Sequence, residues 1–321
     1  MSIFDDFLKL TCATSDTSFS AIPISVRRKD FLAKSSDGTP IFLLHDASEA
    51  RYSPGVQFRY LTAQFHSTCR IQTEGRELQD QFAVVSCDSA ETDLHEIFVR
   101  CFCAAIEELP INSGTRELNN CIHQLVELFR ALSQPSGKDV VGLWGELYVI
   151  ANSGNIKEAM ERWHKDPYER FDFSWPLGCL EVKTSMQSTR LHTFSLEQLV
   201  NPMKGNGYIV SLLLQPLSGG LGLIDLANLI EIEVRHSPAL KLKLWNNLAK
   251  SLGNDFSEKL DKRFDISYAN RNAIVYAMDD IPRPEKPNDQ RVISIRFTAD
   301  LTSTISSLRA NAMSILQSIY C

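Results

Sequence analysis

The N-terminal third of the chain alternates apolar and polar positions at the two-residue period of β-strands. Its apolar runs mix β-branched and aromatic residues, and Gly, Pro, Asp and Ser stand between them, as they do in turns. The predicted strands cover residues 40–45, 56–66, 68–73 and 81–87. The pattern predicts a small antiparallel β module, and we find no catalytic spacing within it.

Apolar residues then recur at the 3.6-residue period of amphipathic helices. Helices are predicted over residues 91–109 and 115–133, and the stretch PINSG between them is the predicted domain boundary. A third helix is predicted to begin at Asp139, in DVVGLWGELYVIAN.

The C-terminal half contains both the two-residue period of strands and the 3.6-residue period of helices. RFDFSW and CLEVKTS, separated by the turn residues PLG, predict a β-hairpin. A short helix capped by Ser195, a buried strand over residues 207–217, a helical stretch broken near Pro238 and a final amphipathic helix over residues 301–319 are predicted to follow. Alternating helices and strands indicate an α/β protein.

Length and composition fit a globular protein of two domains, with 321 residues of which 44% are hydrophobic and 22% charged. The eight cysteines form no CxxC pair, so we predict reduced, mostly buried thiols in a cytoplasmic protein. No apolar run reaches the roughly 20 residues that span a membrane, and the N-terminus does not resemble a secretory signal. A net charge of -6 argues against a general nucleic-acid coating protein but allows a local basic surface.

The stretch GCLEVKTS places opposite charges two residues apart. Glu181 and Lys183 therefore project from one side of a strand, as either an ordinary surface ion pair or part of a metal-dependent site. The hairpin spacing predicts that Asp172 lies beside them. Two converging carboxylates suit Mg²⁺, and a nearby lysine can orient a metal-bound water or hold a phosphate oxygen.

Glu146 is a third acidic candidate, because it lies within the helix stripe that should face the sheet. Gly142 and Gly145 flank it, and glycine permits close approach to a backbone or a ligand. A carboxylate that faces a core needs a partner, which a metal or Lys183 would supply. The simpler alternative for Glu146 is a solvated helix position, and for Asp172 a strand-end residue bonded to the backbone.

A helical Glu, then Asp, then Glu-x-Lys across a β-hairpin resembles the PD-(D/E)XK nuclease superfamily. The resemblance is closest to a bacterial family of uncharacterised proteins assigned to it, through GLWGELYVI, FDFSW, EVKTS followed by RLHTFSLEQL, and DIPRP. Its core spans about residues 136–217, with weaker similarity over most of the chain. Phe171 replaces the superfamily's proline before the Asp, at a position that varies.

The resemblance implies a restriction-endonuclease-like α/β fold, in which helices flank a mixed sheet. We expect a smaller β-rich module over residues 1–110, for recognition of DNA or a partner, and the nuclease-like domain over 111–321. It also implies DNA phosphodiester hydrolysis with Mg²⁺ or Mn²⁺. The implied metal ligands are Asp172, Glu181 and Glu146, and Lys183 would position the water as the remaining catalytic residue.

The resemblance further suggests substrate contacts. Gln198 occupies the place of a glutamine often found on the helix after the Glu-x-Lys strand, and Arg190, His192 and Ser185 lie between the two. We predict no histidine ligand, since His192 has no second histidine at ligand spacing and His164 stands too far away in sequence. The family's association with bacterial defence and restriction-like loci makes DNA the expected substrate, with defence proteins and a second copy of the chain as further partners.

Two other classes of function stay open. One is a nuclease-like fold that no longer cuts and serves as a binding or assembly subunit, which the acidic net charge favours and the intact Asp, Glu and Lys set opposes. The other is an unrelated hydrolase, for which the sequence contains no GxSxG, P-loop or HExxH motif.

Overall fold

Runs of strands and runs of helices follow one another along the chain. The structure is a computed structural model that describes residues 3–49, 52–73, 75–89, 91–135, 139–164, 169–200, 205–285, 289 and 291–319. The α-helices are α1 (Ile3–Leu8), α2 (Thr92–Ile106), α3 (Thr115–Leu132), α4 (Val140–Ala151), α5 (Ile156–Arg162), α6 (Leu223–Glu233), α7 (Pro238–Leu252), α8 (Phe256–Leu260), α9 (Ile266–Asn272) and α10 (Ala312–Ser318). The strands are β1 (Ser18–Pro23), β2 (Phe31–Lys34), β3 (Pro40–His45), β4 (Val56–Phe58), β5 (Leu61–Thr73), β6 (Arg76–Cys87), β7 (Phe173–Trp175), β8 (Gly178–Ser185), β9 (Leu191–Ser195), β10 (Asn206–Leu213), β11 (Pro216–Leu221), β12 (Ile274–Ala277) and β13 (Arg296–Asp300).

The chain divides into two compact units. Unit 1 comprises the described parts of residues 1–136 and 237–255, and unit 2 those of 137–236 and 256–321. Helix α7 therefore belongs to unit 1, although it follows α6 in the sequence. The functional division between residues 1–110 and 111–321 stays a prediction.

Unit 1 contains a six-stranded sheet in the order β1-β2-β3-β6-β5-β4. The expected antiparallel arrangement is wrong in one place, because β1 also runs parallel to β5, with Ser18 opposite Arg70. The predicted strand over residues 56–66 is two strands, since the chain turns after Phe58 and β4 folds back on β5. These differences arise from pairings that alternation along one strand does not specify.

The core of unit 1 joins this sheet to its helices through aromatic rings. Phe42 of β3 stacks on Phe102 of α2 at 4.8 Å between ring centroids, and Phe98 contacts Phe129 of α3 at 5.4 Å. Helix α7 adds the buried Trp245. Burial of such rings stabilises the unit mainly by removing apolar area from water.

Unit 2 is built on a four-stranded mixed sheet in the order β12-β10-β8-β7. Strand β8 runs parallel to β10, whereas the β7–β8 and β10–β12 pairs are antiparallel. Helix α4 packs on one face, and a buried apolar cluster that includes Phe194 of β9 and Ala299 of β13 covers the other. The α/β class with a mixed sheet and helices is thus confirmed.

The contact between α4 and β8 is close because residue 145 has no side chain. A Cβ atom at Gly145 would lie 2.5 Å from Cγ2 of Thr184 and 3.1 Å from Cγ1 of Val182. The predicted close approach therefore holds for Gly145. It does not hold for Gly142, where an added Cβ would meet nothing within 4 Å.

The C-terminal helix is much shorter than predicted. Helix α10 covers only Ala312–Ser318, and Asn311 caps it by accepting a hydrogen bond from the Ser314 backbone N–H at 2.9 Å. Upstream, the Ser306 hydroxyl donates to a carbonyl oxygen of β12, and that of Ser307 donates to Asp280. Serine side chains that bond elsewhere in this way compete with helix formation. Among the described residues, no helix is both long and apolar enough to cross a bilayer.

We expect Gly145→Ala to lower the free energy of unfolding by about 1–3 kcal/mol, because the added methyl group overpacks the contact with β8. Gly142→Ala is the matched control on the same helix, and it should raise stability by up to about 1 kcal/mol through helix propensity. Urea unfolding of both variants provides the measurement. Equal stabilisation by the two substitutions would contradict the close packing at Gly145.

Candidate active site

A β-hairpin positions the acidic residues of the candidate site. Strands β7 and β8 pair with Phe173 opposite Leu180 and Trp175 opposite Gly178, as the turn residues predict. One step beyond this register, Asp172 falls opposite Glu181. The hairpin therefore brings these two residues to neighbouring positions at the start of β7.

Asp172 closes the sheet edge where β7 begins. Its Oδ2 accepts a hydrogen bond of 2.7 Å from the Val182 backbone N–H, in the place where a longer β7 would have supplied a strand partner. Hydrogen bonding to the backbone was the simpler alternative for Asp172. The structure contains that bond, and it holds the carboxylate against β8.

Helix α4 carries Glu146 to the same edge. Asp139 caps this helix by accepting from the Val141 backbone N–H at 3.0 Å, and Glu146 on it is only 8% exposed. Its Oε2 accepts from the Trp163 indole Nε1 at 2.7 Å and lies 2.9 Å from Nε2 of His164. The solvated alternative for Glu146 is therefore wrong, and its carboxylate is buried and hydrogen-bonded.

Buried Glu181 and partly buried Lys183 form an ion pair that a glutamine holds in place. The Lys183 Nζ donates to Glu181 Oε1 at 2.8 Å, and Gln198 Nε2 donates to the same oxygen at 2.5 Å. Gln198 lies in a short 3-10 helix, Leu196–Leu199, and its Oε1 accepts from the Ser195 backbone N–H at 3.0 Å. The amide oxygen and nitrogen of Gln198 thus connect the Glu181–Lys183 pair to Ser195, the predicted start of this helix.

The carboxylates repel one another. Burial first, and then the charges of Glu181 and Glu146, raise the pKa of Asp172 well above its usual value, while the Val182 N–H and Lys183 act in the opposite direction. Burial also raises the pKa of Glu181, and Lys183 offsets part of that effect. A bound cation would reduce this repulsion between the carboxylates.

Three of these side chains form a candidate metal-binding group. Ligand atoms of Glu146, His164 and Asp172 all lie within 4.8 Å of one another, and this is the one such group of three or more acidic, histidine or cysteine residues in the part of the chain that the structure describes. Carboxylate oxygens and an imidazole nitrogen are donors that divalent cations take, so the residues present fit a metal ion. Glu181 lies beside this group, bonded to Lys183 and Gln198.

Sequence reasoning set His164 aside as too distant and did not connect Trp163 with the site. Trp163 pairs with Phe173 as an antiparallel bridge, and the His164 backbone N–H donates to the Asp172 carbonyl at 2.9 Å. Trp163 and His164 thus lie alongside the start of β7. The available signal was the short separation between His164 and Asp172, similar to that between Asp172 and Glu181.

The predicted substrate contacts lie apart from this group. Arg190 is 6% exposed and donates to the Ser211 carbonyl oxygen and hydroxyl at 3.0 and 2.8 Å, and His192 Nε2 lies 2.7 Å from the same hydroxyl. Ser211 is in register with Lys183 on the neighbouring strand. The buried hydroxyl of Ser185 donates to the Thr189 carbonyl at 3.0 Å. Of the predicted contacts, only Gln198 reaches the Glu181–Lys183 pair directly.

The fold and the site together define an α/β protein with an acidic, lysine-containing centre at the open edge of a mixed sheet. The chain belongs to the family described as "Putative PD-(D/E)XK family member (DUF4420)", whose sequence profile matches residues 5–302. The resemblance predicted from the sequence is thereby confirmed. No curated protein and no solved structure matches the chain significantly.

The buried imidazole of His192 makes the stability of the protein depend on pH. Burial, and then the charges of Arg190 and Lys183, lower the pKa of His192 from its usual 6.5 to about 4, with Asp300 acting in the opposite direction. The unfolded chain therefore takes up this proton first. Stability from neutral His192 is fully present above pH 6.5 and is lost as pH falls to about 4, by up to about 3 kcal/mol.

We expect His192→Gln to flatten this part of the pH profile, because glutamine can bond to Ser211 without taking up a proton. Urea unfolding of the variant and the unsubstituted protein between pH 7 and pH 4 gives the measurement. Removing exposed His123 by the same substitution is the control and should leave the profile unchanged. Parallel profiles for His192→Gln and the unsubstituted protein would contradict the prediction.

Proposed function

We propose that the protein is a metal-dependent deoxyribonuclease that hydrolyses phosphodiester bonds. The observation that carries the proposal is the convergence of Asp172, Glu181 and Glu146 beside Lys183 at one sheet edge. Membership of a PD-(D/E)XK family supports it, because proteins of that superfamily are generally nucleases that use divalent metals. An ordinary surface ion pair would not bring three carboxylates together in a largely buried place.

The proposed cofactor is Mg²⁺ or Mn²⁺, with Asp172, Glu146 and Glu181 as the carboxylates that would hold it. Such an ion lowers the pKa of a bound water and neutralises charge on a phosphate. The protein contributes a site of fixed geometry, since Asp172 is held by the Val182 N–H and Glu146 by the Trp163 indole. Fixed donors lose little freedom during the reaction, and this favours catalysis.

Lys183 is the proposed catalytic lysine. Its Nζ is held 2.8 Å from Glu181 Oε1 and 3.5 Å from Gln198 Oε1. In the proposed reaction, a water oxygen forms a bond to phosphorus as the bond from phosphorus to one sugar oxygen breaks. The water gives up a proton and the leaving oxygen gains one. Lys183 would hold the attacking water or a phosphate oxygen and stabilise the negative charge that develops there.

Gln198 has two proposed roles that its contacts allow us to separate. The first role, contact of Gln198 with the substrate, is implied by the family resemblance. Its hydrogen bonds to Glu181 and the Ser195 N–H instead favour a positioning role, in which the side chain orients the Glu181–Lys183 pair. Burial of Arg190 and His192 likewise favours support of the sheet beside Lys183, and their contact with phosphate, like that of Ser185, stays a prediction.

DNA is the proposed substrate, cut internally, within a bacterial defence or restriction-like system. Partner proteins of such a system, and a second copy of the chain, are the proposed protein partners. The N-terminal β-rich module would recognise DNA or one of these partners. The alternative is a fold that binds DNA or partners without cutting, and the cleavage assay below separates the two.

We expect the protein to nick or linearise plasmid DNA in the presence of Mg²⁺ or Mn²⁺, and chelation by EDTA should abolish this. Asp172→Ala and Lys183→Ala should each lower the cleavage rate at least about 100-fold, the order of magnitude for losing one charged group that stabilises a transition state. The control is Lys157→Ala, which removes an exposed lysine of α5.

Gel analysis of plasmid and linear DNA, with candidate partner proteins also supplied, gives the readout. Folding of each variant is checked by circular dichroism. Cleavage by wild type that Asp172→Ala retains would overturn the proposed site. DNA binding without cleavage under every metal and partner condition would favour the silent alternative.

For Gln198→Ala we expect kcat to fall about tenfold with little change in KM, because a positioning residue acts through Lys183 and not on the bound substrate. Steady-state cleavage of a labelled oligonucleotide duplex separates the two constants. A rise in KM at unchanged kcat would instead assign Gln198 to substrate binding. Gln198→Glu, which keeps the length of the side chain but adds charge beside Glu181, should be more damaging than Gln198→Ala.

A further inference from the structure

We propose that His164 is a nitrogen ligand of the metal ion, so that the site binds Mn²⁺ more tightly than Mg²⁺. The inference deepens the proposed function and rests on it in one respect, that the site takes a divalent cation. It changes the ligand set from carboxylates alone to two carboxylates and an imidazole, Glu146, Asp172 and His164, with Glu181 beside them.

The separation between donor atoms fits two ligands of one ion. His164 Nε2 lies 2.9 Å from Glu146 Oε2. In octahedral coordination with metal–ligand bonds of about 2.1 Å, neighbouring ligand atoms are about 3 Å apart. Asp172 completes the group, since all three ligand atoms lie within 4.8 Å of one another. The three side chains would together hold one divalent cation.

The local chain geometry holds His164 in this place. Its backbone N–H donates to the Asp172 carbonyl at 2.9 Å, and the adjacent Trp163 bridges to Phe173 and donates through its indole to Glu146. The His164 side chain is 6% exposed. An imidazole so constrained is organised for binding, unlike a surface histidine, which samples many orientations.

Donor chemistry then sets the metal preference. Mg²⁺ prefers oxygen ligands and retains several waters, whereas imidazole nitrogen suits transition-metal ions. The competing role for His164 is that of a hydrogen-bond donor that orients Glu146 and never touches the metal. The two roles differ in one measurable property, a direct bond between nitrogen and the ion.

The decisive experiment uses the full chain loaded with one equivalent of Mn²⁺. Pulsed electron paramagnetic resonance detects the ¹⁴N coupling of an imidazole bonded directly to Mn²⁺. We expect that coupling in the wild type and its loss in His164→Gln, which keeps an amide N–H for Glu146 but removes the imidazole. The control His123→Gln, on the exposed face of α3, should retain the signal.

Calorimetric titration provides an independent reading. We expect wild type to bind Mn²⁺ at least about tenfold more tightly than Mg²⁺. His164→Gln should weaken Mn²⁺ binding at least about tenfold, the lower end of losses seen when the surroundings of a metal are altered, with a smaller effect on Mg²⁺. The Mn²⁺ to Mg²⁺ affinity ratio should therefore fall.

Each result decides between the roles. Bound Mn²⁺ without ¹⁴N coupling in wild type, or an unchanged affinity ratio in His164→Gln, overturns the inference and leaves the proposed nuclease function standing. Absence of any bound Mn²⁺ also overturns it. Nitrogen-coordinated Mn²⁺ in a protein that cuts no DNA supports the inference while the proposed function fails. If His164→Gln does not fold, the wild-type spectrum alone decides.

Discussion

Helix α4 approaches β8 more closely than a helix with any side chain at residue 145 could, and the candidate site depends on that contact. A Cβ there would overlap Thr184 and crowd Val182. Because the helix lies so near the strand, the next residue, Glu146, reaches the sheet edge at which β7 begins. There it meets Trp163 and His164, while Asp172 occupies the open hydrogen-bonding position on β8. The absence of a side chain at Gly145 thus allows α4 and the β7–β8 hairpin to bring their charged groups together.

Bringing carboxylates together in a buried place costs free energy, and the structure offsets that cost locally. Each acid has a donor of its own: Val182 N–H for Asp172, the Trp163 indole for Glu146, and Lys183 with Gln198 for Glu181. These bonds do not cancel the repulsion, and the pKa of Asp172 stays well above its usual value. A divalent cation would relieve the remaining repulsion, so binding and folding would reinforce each other.

Much of the local structure could be predicted because it depends on interactions between residues close in the chain. Turn residues between two β-rich runs specify the β7–β8 hairpin, and Ser195 begins the short helix that carries Gln198. The final helix shows where such reasoning fails. Its apolar spacing looks continuous, yet Ser306 and Ser307 bond to distant groups, and only Ala312–Ser318 is helical.

By itself, the sequence determined which segments are strands and helices across most of the chain, and that Asp172 would stand beside Glu181. It could do so because strand alternation, helical spacing and turn chemistry act over a few residues. Only the tertiary structure decided that β1 also pairs with β5 in parallel, that Arg190 and His192 are buried around Ser211, and that His164 joins Glu146. Those placements depend on which distant segments share a surface, and the alternation of apolar and polar residues in one segment does not specify its partners.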